Sequence, residues 1–93
     1  MKLFYTYILF SRSKNRFYTG STNDLNRRFE EHNSGHTKST KSGIPWEFVF
    51  TKSFNNNSDA RKFEMKIKKM KSRKFIEQLI ESNENDIADL LKP

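Results

Sequence analysis

Apolar and polar positions cut the chain into stretches of changing period. Leu3–Phe10 is a nearly unbroken run of aromatic and β-favouring residues that stops at Ser11-Arg12-Ser13-Lys14-Asn15, a turn composition. Arg16–Gly20 follows as a second short strand, so the two predict a β-hairpin with a loop of about five residues. From Asp24 the period lengthens to that of a helix reaching about Asn33, with Asp24 or Thr22 as its cap and Gly35 at its end. Residues 34–45 are small, polar and basic without periodicity, which predicts a mobile loop. Trp46–Ser53 alternates as a third strand. After the Asn55-Asn56-Asn57-Ser58 turn, Ser58 or Asp59 caps a helix to about Met70, whose apolar stripe is Ala60, Phe63, Ile67 and Met70. Ser72 breaks or restarts that helix, Phe75, Ile76, Leu79 and Ile80 form another apolar face, and Asn83–Leu91 predicts a short acidic helix. The order β-β-α-β-α-α predicts an α+β fold, a three-stranded, mainly antiparallel sheet flanked by helices.

Two helical stripes are violated by charge. At about 100° per residue, Leu25 and Phe29 set the buried side of the first helix, and Arg28 and His32 fall within that side. Glu64 lies on or beside the Ala60–Met70 stripe, where a carboxylate needs a cation or a metal ion. A salt bridge to one of the many lysines satisfies the same demand. Tyr7 and Tyr18 come from the two hairpin strands, where facing tyrosines are ordinarily half-buried core. Together, two phenols, an arginine, a histidine and a carboxylate are directed from separate elements toward one face.

Composition narrows the class. Ninety-three residues make one domain, with nine phenylalanines, three tyrosines and one tryptophan concentrating the apolar surface in few side chains. The absence of cysteine excludes disulfides, zinc–thiolate sites and thiol catalysis. Leu3–Phe10 is too short and too interrupted for a signal peptide or membrane span, so no membrane association and a cytoplasmic location are the default expectations. The net charge of +7 is uneven. Residues 1–80 carry seventeen Lys and Arg against seven Asp and Glu, whereas residues 81–93 carry one Lys against four acids. The chain therefore divides into a basic domain, 1–82, and a short acidic C-terminal tail, 83–93. A domain this basic points to a polyanion, most often nucleic acid. Lys38, Lys41, Lys66 and Lys69 are candidate phosphate contacts, the last two in the Lys66-Lys68-Lys69-Lys71-Arg73-Lys74 run. Trp46 is a candidate base-stacking platform if it is not simply the start of a core strand.

These residues, in this order, resemble the GIY-YIG endonuclease superfamily. Tyr7 of Tyr5-Thr6-Tyr7 stands at the first-strand tyrosine, and Tyr18-Thr19-Gly20 matches the second-strand motif. Arg28 and His32 match the Arg and His four apart on the first helix, and Glu64 matches the lone glutamate of a later helix. The resemblance spans about residues 3–80 and is to the small stand-alone bacterial members, which in turn resemble the nuclease domain of the excision-repair nuclease and structure-specific nucleases. It implies a metal-dependent DNA endonuclease in which Tyr7, Tyr18, Arg28, His32 and Glu64 are catalytic and Glu64 binds Mg²⁺ or Mn²⁺. Branched or damaged DNA is the substrate it suggests, with a protein partner supplying target selection. Tyr7 and Tyr18 are both candidates for the base, and His32 for orienting a tyrosine or relaying its proton. A non-catalytic nucleic-acid-binding module and a protein-interaction adaptor are the alternatives.

Overall fold

The apolar first run is central for a reason visible in the computed structural model, which describes residues 3–90. β1 (Phe4–Ser11) lies between β2 (Arg16–Thr22) and β3 (Trp46–Phe54), antiparallel to both, in the order β2-β1-β3. Helices cover both faces of β1, so Thr6, Tyr7, Ile8 and Leu9 are all fully buried, and a strand buried on two sides has no polar face to alternate.

On one face, Ile8 and Phe50 meet Ile67 of α2 (Asn57–Met70) and Leu79 of α3 (Arg73–Ile80). On the other, Tyr7, Leu9 and Trp46 meet Leu25 and Phe29 of α1 (Leu25–Asn33). The β1–β3 register slips between Ile8 and Leu9, where Ile8 pairs with Phe50 and Leu9 with Phe48. That bulge sends Phe48 to the α1 face and Phe50 to the α2 face, feeding both cores from one strand.

Side-chain caps set the helix starts. Asp24 accepts from Arg27 N (3.0 Å), Asn56 from Asp59 N (2.8 Å) and Ser72 from Phe75 N (3.1 Å). The second helix therefore begins earlier than the Ser58 or Asp59 cap predicts. Its expected apolar stripe also loses Met70, which is half exposed at the helix end.

The segment expected to be a mobile loop holds a 3-10 helix, Lys38–Gly43, with Thr40 buried inside the fold. After α3 the chain returns to β3. Asn85 Nδ2 donates to Val49 O (2.9 Å) and its Oδ1 accepts from Thr51 N (3.2 Å). Asp86 N donates to Thr51 O (2.7 Å) and its carboxylate accepts from Ser53 N (3.1 Å). A last turn of helix, α4 (Ile87–Leu90), follows where the acidic helix 83–91 was expected, and residues 91–93 lie outside the described residues. No helix among the described residues is long and apolar enough to cross a membrane.

Candidate active site

The motif residues gather at the outer edge of β2. The hairpin register pairs Tyr7 with Gly20 and Tyr18 with Leu9, so the tyrosines are diagonal neighbours rather than directly opposed, with ring centroids 6.5 Å apart. Gly20 is the key to this arrangement. A Cβ there would stand 2.5 Å from the Tyr7 hydroxyl oxygen, so only glycine lets the Tyr7 ring lie across β2 and bring its oxygen to the sheet edge.

α1 and α2 sit on opposite faces of the sheet, which corrects the expectation of a site on one face. Arg28 of α1 and Glu64 of α2 nevertheless line the same cleft of about 280 Å³, together with Tyr7, Tyr18 and Gly20. They reach it round β2 from the two sides. The α2 contribution follows from its anchoring: Thr6, buried in β1, donates to Ala60 O (2.6 Å) and holds that turn over the strand. Asn57, Arg61, Glu64 and Lys68, spaced four, three and four apart, then fall on one stripe of α2, and the first three line the cleft. Asn57, Arg61 and the β2 residue Ser21 were not singled out from the sequence. The signal for the two helix residues was their spacing from Glu64.

Among the described residues Glu64 is the only carboxylate lining the cleft, and its side chain is 17% exposed. Ser21 Oγ–H donates to Oε1 (2.7 Å) and Lys68 Nζ donates to Oε2 (2.7 Å), so the salt bridge considered from the sequence is present. No group of three or more His, Cys, Asp or Glu gathers among the described residues. A single hard carboxylate beside a hydroxyl, with neither His nor thiolate in the cleft, suits Mg²⁺ or Mn²⁺, which keep several waters, and not Zn²⁺.

His32 does not line this cleft. It is fully buried behind Tyr7, with Nδ1 2.8 Å from Thr40 Oγ1 and Nε2 3.0 Å from the Tyr7 hydroxyl. The Thr40 hydroxyl points to one assignment of the protons. Its hydroxyl donates to Thr37 O (3.2 Å), leaving its oxygen to accept from His32 Nδ1–H. Nε2 is then the bare nitrogen, and Tyr7 donates its proton inward to it. Burial, and then the nearby Arg28 charge, lower the His32 pKa against the pull of Glu31, which favours this neutral form. Burial pushes the Tyr7 phenol up to about 12; Arg28 opposes that rise, while Tyr18 and Glu64 add to it. The phenol in turn raises the Arg28 pKa, helped by Glu31, whose Oε1 accepts from Arg28 Nη1 (3.0 Å).

Trp46 is a core residue and not an exposed stacking platform. It is 6% exposed, its indole N–H donates to Thr40 O (2.7 Å), and its ring lies so close over Gly43 that a Cβ there would collide with it. Asn33 seals the same corner, its amide bonding both Trp46 N (2.6 Å) and Trp46 O (3.1 Å). Lys38, Lys41, Lys66 and Lys69 do not line the cleft. Lys66 lies about 200° and Lys69 about 140° round α2 from Glu64.

The family model described as the GIY-YIG catalytic domain matches residues 3–77. The UPF0213 protein YazA of Bacillus subtilis is 40% identical over 72 residues, 76% of this chain and 72% of that protein. The UPF0213 protein OB0043 of Oceanobacillus iheyensis is 39% identical over 67 residues, 71% of this chain and 77% of that protein. The solution NMR structure of the UPF0213 protein BH0048 from Bacillus halodurans is similar over 97% of this chain and 95% of its own, with a TM-score of 0.58 and 32% identity.

Proposed function

Since this chain belongs to the GIY-YIG family, a nuclease superfamily, we propose that it is a metal-dependent DNA endonuclease hydrolysing phosphodiester bonds in the cleft at the β2 edge. One observation carries the reading. A phenol whose oxygen lies 3.0 Å from a buried imidazole nitrogen faces a carboxylate and a guanidinium across a polar cleft.

Hydrolysis requires a proton taken from water and charge balanced on the phosphoryl oxygens. A phenol with its pKa pushed up to about 12 is neutral at physiological pH, and beside the Arg28 guanidinium its protonated oxygen keeps a lone pair for the water. Tyr7 accepts the water proton there while passing its own to His32 Nε2, so the phenolate need not form as a free species. Thr40 holds His32 in the tautomer that can receive it. This favours Tyr7 over Tyr18 as the base. Tyr18 packs its ring edge-on to His32 at 4.9 Å and walls the cleft. Arg28, kept charged, forks onto a non-bridging oxygen, and Arg61 adds a second cation on the α2 side. Glu64 would hold Mg²⁺ or Mn²⁺, which when bound supplies Lewis acidity to the phosphoryl group.

Incubation of the purified chain with supercoiled and branched DNA in Mg²⁺ or Mn²⁺, beside Glu64→Gln, tests the proposal. Cleavage by the parent and a loss on the order of a hundredfold or more in the variant are expected. The pairing of Glu64 with Lys68 favours a second reading, a non-catalytic nucleic-acid-binding module in which that carboxylate is structural. That reading predicts binding in EDTA and no cleavage by the parent on any DNA form.

A further inference from the structure

Beside the candidate active site lies a second groove, of about 470 Å³, between β2 and the junction of α2 with α3. Tyr18 belongs to both, and Lys68, which bonds Glu64 in the first, walls the second. Phe17, Ile67 and Ile76 make its apolar floor, and Arg16, Lys68, Lys71 and Arg73 rise round it without an acidic residue in the lining. Arg73 ties the two walls together. It donates to Asn15 O (3.0 Å) and Asn15 Oδ1 (2.7 Å) across the groove end, and its guanidinium lies 4.9 Å over the Phe17 ring.

Two of these cations are uncommitted: Arg16 and Lys71 have no carboxylate within ion-pair distance among the described residues. Lys71 caps α2 at φ +46°, ψ +41°, a left-handed position that glycine ordinarily takes. A lysine there costs backbone strain, and such strain at a charged, exposed residue points to a use for the side chain.

We propose that this groove seats the sugar–phosphate backbone of a single DNA strand next to the phosphate in the cleft, with Arg16 and Lys71 as its phosphate contacts. The inference rests on the endonuclease reading and adds the path of the strand. The lining favours a single strand over a duplex: the apolar floor accepts sugar and base edges, while the rim cations meet phosphates.

Binding of a short fluorescein-labelled oligothymidylate to the full chain in EDTA, followed by anisotropy across a salt series, is the test. Each lost phosphate contact should lower the log–log salt slope by about 0.7 and weaken binding about fivefold at 0.1 M salt. Arg16→Gln and Lys71→Gly are therefore each expected to bind about fivefold more weakly, and the pair about 25-fold. Lys71→Gly separates charge from folding, because glycine suits the left-handed backbone: its Tm should stay level or rise while its affinity falls. Lys66→Gln and Lys69→Gln, on other sides of α2, should change affinity less. Groove variants that bind as well as those controls, with the parent's salt slope, overturn the groove and leave the endonuclease proposal standing. A parent that binds no DNA at low salt overturns both.

Discussion

Tyr7→Phe removes one oxygen and keeps the ring. The ring packs edge-on to Phe48 (5.9 Å) and against Tyr18 (6.5 Å), contacts that phenylalanine reproduces. What is lost is the proton offered to His32 Nε2, on a residue at 0% exposure. A buried acceptor left without its donor costs about 1–3 kcal/mol. For a domain of this size each kcal/mol moves Tm by about 4–8 °C, so the variant should melt roughly 5–20 °C lower. Urea unfolding at pH 8, where the imidazole is neutral in both states, isolates this term, and an unchanged m-value would show that the loss lies in the native state. Long-range ¹H–¹⁵N correlation of the parent should show His32 protonated at Nδ1. A variant as stable as the parent would refute the inward hydrogen bond. An Nε2–H tautomer would reverse the proton direction and remove His32 as the acceptor for Tyr7.

Four further outcomes follow from the same geometry. Gly20→Ala should force the Tyr7 oxygen from its place, costing about 1–3 kcal/mol in denaturant unfolding and abolishing cleavage even in molecules that stay folded; full activity would contradict the close approach. Because the His32 pKa is lowered in the fold, the unfolded chain binds the extra proton as pH drops below about 6.5. Stability should accordingly decline from pH 7 toward 5.5 by up to about 1.4 kcal/mol per pH unit from this group, and His32→Gln should flatten that part of the profile. In an alkaline absorbance titration the Tyr7 phenol, pushed up to about 12, should ionise well above the ordinary tyrosine value of 10. The stability tied to its protonated form is fully present below about pH 10 and is lost as pH rises toward 12, because the unfolded phenol ionises first and its ionisation draws the chain toward the unfolded state; Tyr7→Phe should remove that alkaline loss. Glu64→Gln should keep or slightly tighten DNA binding in EDTA while losing cleavage, since it removes a negative charge facing phosphates; Arg28→Ala should lose both.

The elements and the motif series were legible because long-period signals carry them: an unbroken apolar run for the central strand, 3.6-residue stripes for α1 and α2, an arginine and a histidine breaking the first stripe and a carboxylate beside the second. Arg28 and Glu64 were therefore found without a structure. Their meeting round a strand edge was not legible, because periodicity assigns a residue to a helix face and says nothing of which sheet face that helix covers. Thr40 escaped for another reason. One buried hydroxyl among the serines and threonines of a polar segment leaves no periodic trace, though it orders the 3-10 turn and sets the His32 tautomer. Trp46 stood between two uses, and only the Gly43 contact and its bonded indole N–H decide for the core.

The return of Asn85 and Asp86 to β3 bears on whether this strand can pair with a second copy of the chain. Val49 O, Thr51 N, Thr51 O and Ser53 N are the groups with which β3, a border strand, would recruit another molecule's strand. Two side chains and one peptide N–H occupy all four, so Asn85 and Asp86 act as a plug against edge-to-edge pairing. Glu84 adds charge at the same border, 3.8 Å from Lys52. A version of the chain cut at residue 82 would thus bare an aromatic-rich strand with its donors and acceptors open. Self-association and precipitation, seen as a concentration-dependent rise in sedimentation or light scattering, would be the first thing such a truncation gains.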